Sequence, residues 1–184
     1  DMPKQFDNLN SKVIDDLKIT IKRSSKVSIA AASFSIYAYE ALKDELETID
    51  ELRFIFTSPT FNKERTSKEK REFFIPKLNR ERNLYGSDFE IKLRNQLSQR
   101  AIARECSDWI RRKACFKTNI SAGVLNGFMN VVNEEGKYTY LPFNEFTTTE
   151  LGCERGNNMC PASMRMPSPF ADKYLADFNE LWNN

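Results

Sequence analysis

The chain of 184 residues contains no histidine, and that absence removes a large part of enzyme chemistry. Ser-His-Asp and Cys-His nucleophile systems, histidine-ligated metals and phosphohistidine intermediates all need an imidazole. Gly 6 and Pro 7 are low counts, which argues against a low-complexity or collagen-like chain. No apolar run approaches the roughly 18 residues of a membrane span, and no signal-peptide hydrophobic region stands at the start. The opening DMPKQ reads as an added residue before an initiator Met. A cytoplasmic protein without membrane contact is therefore expected. No Gly-x-x-x-x-Gly-Lys-Ser/Thr loop occurs, so ATP-driven chemistry is not expected in this chain. Cys106, Cys115, Cys153 and Cys160 have neither the Cys-x-x-Cys spacing nor the His partners of a zinc site. They read as reduced thiols, with Cys153 and Cys160 left open as a redox or metal pair. No cofactor and no metal are expected.

What is present suffices for one domain over residues 1–184, since 40% of the residues are hydrophobic and can fill a core. Val13, Leu17 and Ile21 recur at helical spacing, with Asn10 or Ser11 available as a cap. Residues 27–34 are then apolar or small on both faces, as in a central strand. Ala38, Leu42, Leu46 and Ile49 restore helical spacing, and ELRFIF is a second strand, stopped at Ser58-Pro59. Residues 61–85 read as a helix and an irregular connection, followed by a long helix with Phe89, Leu93, Leu97, Ala101, Cys106 and Ile110 on one stripe. Three strands follow, in ACFKTNI, GFMNVVNE and KYTYLPF, the last two joined by a turn at Glu135-Gly136. A helix packed through Leu175, Phe178 and Leu181 or Trp182 completes the pattern. Alternating helices and strands predict an α/β fold, a mixed β-sheet with helices on both faces.

Charge is sorted along the chain. Residues 63–117 hold 16 Lys and Arg against 8 Asp and Glu, and the remainder holds 12 against 18. Such asymmetry suits a basic surface facing a polyanion, though solvated helix faces with salt-bridge partners would give the same count. Arg111, Arg112 and Lys113 close the long helix, where the negative helix end accounts for one cation more readily than three. Lys77, Arg80, Arg82 and Lys117 extend the set, and these seven are candidate nucleic-acid contacts. Glu90-x-Lys92 and Asp16-x-Lys18 imitate a carboxylate-Lys metal-nuclease site, but both lie in helical patterns where such pairs arise by chance.

KVSIAAASFSIYAYEALKDELETIDELRFIFTSPTF, followed by GFMNVVNEEGKYTYLPFNEFTTTELG, resembles a phospholipase D-like domain. The likeness is greatest to the single-lobed module found beside bacterial superfamily-2 (Swi/Snf-type) helicases, on mobile elements and in phage-defence loci. It covers nearly the full chain. It implies that this is a fragment of a longer protein with a helicase motor domain in the same polypeptide. It also implies nucleic acid, DNA above all, as a partner, and a homodimer as the assembly.

The family's signature is degenerate here. Phe128 falls at the His, Asn130 at the Lys, Glu135 near the Asp, Pro142 and Phe143 at Gly-Ser, Glu145 at the Asn and Thr147 at the Thr. Only Thr147 matches. In the family the His attacks phosphorus while Lys and Asn stabilise charged oxygens. A Phe cannot attack, and a Glu repels phosphate. A pseudoenzyme with no catalytic residue is expected, with Phe128 and Phe143 forming an apolar cleft in which two lobes could pair. FTTTEL reads as the turn into a short helix, with a Thr as N-cap and Glu150 at its positive end. CERGNN then follows as the rim of the cleft. There Arg155, Asn157 and Asn158 would contact phosphate or a partner chain, or only shape a tight turn. A protein-interaction or dimerisation module that binds no nucleic acid is the alternative.

Overall fold

Two parallel neighbours, β2 (Lys26–Ala31) and β3 (Glu51–Phe56), lie side by side in the sheet of the computed structural model, which describes residues 2–57, 101–118, 126–153 and 163–183. Their alternation sets the two faces of the sheet. Val27, Ile29, Leu52, Phe54 and Phe56 point into one core, while Ala30 and Ile55 point into a second on the other side. β4 (Ala114–Thr118) adds to β3 in parallel. β5 (Phe128–Asn133) lies antiparallel to β2 and forms a hairpin with β6 (Gly136–Leu141). Two short strands complete the far side: β7 (Ser163–Pro167) pairs with β6, and β1 (Lys4–Phe6) pairs with β7. The result is a seven-stranded mixed sheet in the order β1-β7-β6-β5-β2-β3-β4.

The larger core lies under α1 (Val13–Thr20), α2 (Ile36–Ala41), α3 (Lys43–Thr48), α4 (Ala101–Lys113) and α5 (Thr148–Leu151). Leu17, Ile36, Leu46, Trp109 and Leu151 bring one buried side chain from each of these helices to it. The Trp109 indole N–H donates to the Leu46 carbonyl at 2.9 Å, so the largest buried ring leaves no donor unpaired. α6 (Phe170–Asn183) packs on the opposite face, against β5, β6 and β7. Its cluster is small: Phe178 with Ala30, Ile55 and Phe128, flanked by Leu141, Tyr174, Leu181 and Trp182.

Three expectations need correction. β1 and β7 are strands that residue patterning did not announce, because KQF is short and SMRMP lacks β-branched residues. The helix expected over 38–49 is two helices, divided where Leu42 takes φ −118° and ψ 14°. The helical reading through Ile21 stops at Thr20, with Ile21 already extended. The readings over 61–85, and the early part of the long helix from Phe89, lie outside the described residues. No described helix is long and apolar enough to cross a membrane.

Candidate functional site

Phe128 and Asn130 lie two residues apart on β5, so both side chains stand on the face that α6 covers. Phe128 meets the Tyr174 and Phe178 rings with centroids 5.3 and 6.4 Å away. Asn130 is fully buried and bonded on both ends of its amide. Its Nδ2 donates to the Tyr174 carbonyl at 3.2 Å, and its Oδ1 accepts from the Thr139 hydroxyl at 2.6 Å. Position 135 is remote from this pair, since Glu135 is in the β5–β6 turn and pairs with Lys22 at 3.1 Å. Phe143 also departs from the expected cleft. It is buried in the larger core beside Phe146, on the other side of the sheet from Phe128. The two rings expected to draw a second lobe are both enclosed within one chain.

The segment from Pro142 to Gly152 is a loop held by its own hydrogen bonds. Phe143 N–H donates to the Gly127 carbonyl and Ala32 N–H to the Asn144 carbonyl, at 2.9 and 2.8 Å. Gly127 is required there, because a Cβ would stand 2.1 Å from the Phe143 oxygen. The Thr147 hydroxyl accepts from Glu150 N–H at 3.2 Å, the N-cap expected from the sequence. Gly152 ends the short helix with φ 84°. Glu150 turns back toward the loop, and its Oε1 accepts from the Asn144 and Glu145 amides at 2.9 and 3.3 Å. Glu145 therefore offers a backbone donor to this carboxylate.

Burial pushes the Glu150 carboxyl up, against the two amides that pull it down. A raised folded pKa means that its contribution to stability is complete below the unfolded glutamate value. It is lost as pH rises through the folded value. Glu150→Gln keeps an acceptor for both amides and is expected to fold normally. Glu150→Ala strands them and is expected to cost about 1–3 kcal/mol in urea unfolding.

The basic residues at the end of α4 are spent within the chain. Arg112 makes a bidentate pair with Glu47 at 2.7 and 3.0 Å and reaches Asp108 at 2.9 Å. Lys113 donates to the Ile49 carbonyl at 2.7 Å, and Arg111 bonds Asp108 at 2.6 Å. The helix end does not have to hold three cations by itself, because Asp108 one turn back, Glu47 on α3 and the Ile49 carbonyl just after α3 supply partners. Lys117 is separate from them. It lies on the α6 face, where its Nζ donates to the Trp182 carbonyl at 2.7 Å and stands 4.4 Å from the Trp182 ring centre. Lys77, Arg80, Arg82, Arg155, Asn157, Asn158 and Cys160 lie outside the described residues. Cys106 is buried and its thiol is pushed up by burial, Cys115 is half-buried and Cys153 exposed. Among the described residues no group of Cys, Asp and Glu converges as a metal would need.

A buried polar cluster around Asp16 was missed from the sequence. Asp16 on α1 is buried and accepts from Arg165 at 2.8 and 2.9 Å, the Tyr140 hydroxyl at 2.6 Å and Lys4 at 3.1 Å. Burial alone would raise its pKa, but the Tyr140 hydroxyl, Lys4 and Arg165 outweigh it and hold the carboxyl below the usual aspartate value. A signal was present, for Asp16 falls between Val13 and Thr20 on the stripe that carries Leu17. Its partners come from β1, β6 and β7, so it fastens three strands to one helix rather than offering groups to a ligand.

A scan against protein-family models and a search of curated proteins each find no match.

Proposed function

We propose that the chain is a catalytically inactive phospholipase D-like lobe that serves as a nucleic-acid-binding accessory module of a helicase motor in the same polypeptide. One observation supports the inactive part above all. The two positions that would carry nucleophile and cation hold Phe128 and Asn130, both buried and both engaged by α6. Plasmid, single strands and chromogenic phosphodiesters are expected to survive incubation with the protein, with or without EDTA. Cleavage abolished by one point substitution in this chain would sink that reading.

Binding rests on the charge asymmetry, with 11 of the 16 cations of residues 63–117 at or before Arg100. Each phosphate neutralised on duplex DNA steepens the dependence of log K on log salt by about 0.9. The expected result is weak binding, little sequence preference and a slope worth about three to five phosphates. The variant K77E/R80E/R82E is expected to weaken all sequences alike and flatten the slope. The interaction-module reading has its own support in the internal partners of Arg112, Lys113 and Lys117. It becomes the better one if the protein shifts neither DNA nor RNA at about 50 mM salt.

A further inference from the structure

The sheet face beneath α6 carries an unusual pair of contacts. Arg53 on β3 and Lys117 on β4 lie diagonally across the ladder, since Arg53 opposes Cys115 and Ile55 opposes Lys117. Both cations hold the same part of α6. The Arg53 guanidinium stands 5.1 Å from the Phe178 ring centre and 5.5 Å from that of Trp182, and its Nη2 donates to Asn179 Oδ1 at 2.9 Å. Lys117 faces the Trp182 ring and donates to the Trp182 carbonyl, at the negative end of the helix. Each cation is thus satisfied by an aromatic face and a polar oxygen. A nucleotide offers the same two things, a flat base and a phosphate oxygen.

The helix that supplies these groups is lightly anchored, with only Ala171 and Phe178 buried among its 14 residues. It is also acidic: Asp172, Asp177 and Glu180 stand against Lys173 alone. Arg53 and Lys117 share their face with Lys26, Ser28, Asn130 and one carboxylate, Glu51, which lies 3.8 Å from Arg53 and 3.9 Å from Lys26, so the face holds three cations against one acid. Phe178 and Trp182, stacked on one another, shield its apolar part.

We infer that α6 is a displaceable cover over a binding face for single-stranded nucleic acid, in which Arg53 and Lys117 exchange Trp182 and its carbonyl for a stacked base and its phosphate. This rests on the nucleic-acid reading above and gives it a location and a regulation. The closed cover holds apparent affinity down, because only the fraction of molecules with α6 lifted can bind.

The test uses the full chain and a fluorescein-labelled oligothymidylate, with anisotropy as the readout. Trp182→Ala removes the ring that both cations face, at a position that is only partly buried. Binding is expected to tighten about tenfold, the factor that corresponds to about 1.4 kcal/mol of lost closure. Adding Arg53→Gln and Lys117→Gln to that variant is expected to remove the gain. Asn179→Ala, which deletes one exposed acceptor, is expected to act in the same direction with a smaller effect. Amide exchange should show α6 opening in both single variants while β2 and β3 stay protected. If the wild type binds and Trp182→Ala binds no better while its α6 amides exchange faster, the cover is overturned and the accessory-module reading stands. If neither protein binds at low salt, both are overturned.

Discussion

Replacing Asp16 by alanine is expected to cost about 3–5 kcal/mol of unfolding free energy, the range for breaking a buried ion pair by removing one partner. Arg165 keeps a half-buried guanidinium that points at Asp16, and the Tyr140 hydroxyl loses its acceptor at 2.6 Å and keeps only Thr20. Lys4 contributes little to the loss, since nearly half of its side chain is in solvent. Asp15, the adjacent residue, is exposed, and Asp15→Ala is expected to stay within about 0.5 kcal/mol of wild type. The midpoint of urea unfolding measures both. Asp16→Asn should fall between them, because an amide oxygen still accepts from Tyr140 while the charge is gone.

The pH dependence follows from the same group. A depressed folded pKa gives stability that is present above the unfolded aspartate value and is lost as pH falls through the folded value. The gap between wild type and Asp16→Asn should therefore narrow below about pH 4. A constant gap down to acid denaturation would show that the charge of Asp16 is not what holds Arg165.

The second large effect is expected from placing at positions 130 and 128 the Lys and His that a phospholipase D-like signature carries. Asn130→Lys places an ammonium in a buried site whose partners for residue 130 are the Tyr174 carbonyl and the Thr139 hydroxyl, neither of them charged. The penalty for an unpaired buried charge is several kcal/mol, so a loss of about 3 kcal/mol or more is expected. Phe128→His adds to it by removing a ring that packs edge-on against both Tyr174 and Phe178. The double variant should melt well below wild type and still cleave no phosphodiester, because both side chains point into a helix. A double variant that folds as stably as wild type would show that the α6 face accepts charge as it stands.

The parallel half of the sheet was legible because its strands are long, apolar and bounded by helical patterns. KVSIAA and ELRFIF read as strands and are strands. The hairpin of β5 and β6 was also legible, with its turn at Glu134 and Glu135, ahead of Gly136. A Thr could be read as the cap in FTTTEL, and in the structure the role falls to Thr147, whose hydroxyl accepts from Glu150 N–H. What the residues could not reveal was contact between distant segments. Nothing local in RRK says that Glu47, on another helix, will take the middle arginine in a bidentate pair. The aromatic side chain at position 128 was plain from the sequence, but the helix lying over it was not. The apolar stripe of α6 gave Phe178, Leu181 and Trp182 as packing residues, but Tyr174 rather than Leu175 joins their cluster, and the stripe did not say which sheet face would receive them.

The pairing of β1 with β7 has a consequence for how the domain is made. Lys4 can find its ladder partner only after Arg165 has left the ribosome. Asp16 waits equally long, since its partners Tyr140 and Arg165 lie 124 and 149 residues away. Until then the outer edge of β6 carries unpaired amides and carbonyls, and a buried carboxylate site has no cation. Closing such distant pairs is slow compared with local hairpins, and an open strand edge recruits other chains. The nascent domain is thus most prone to aggregate late in synthesis, when β2 to β6 can pair but β7, which must join β6 to β1, does not yet exist.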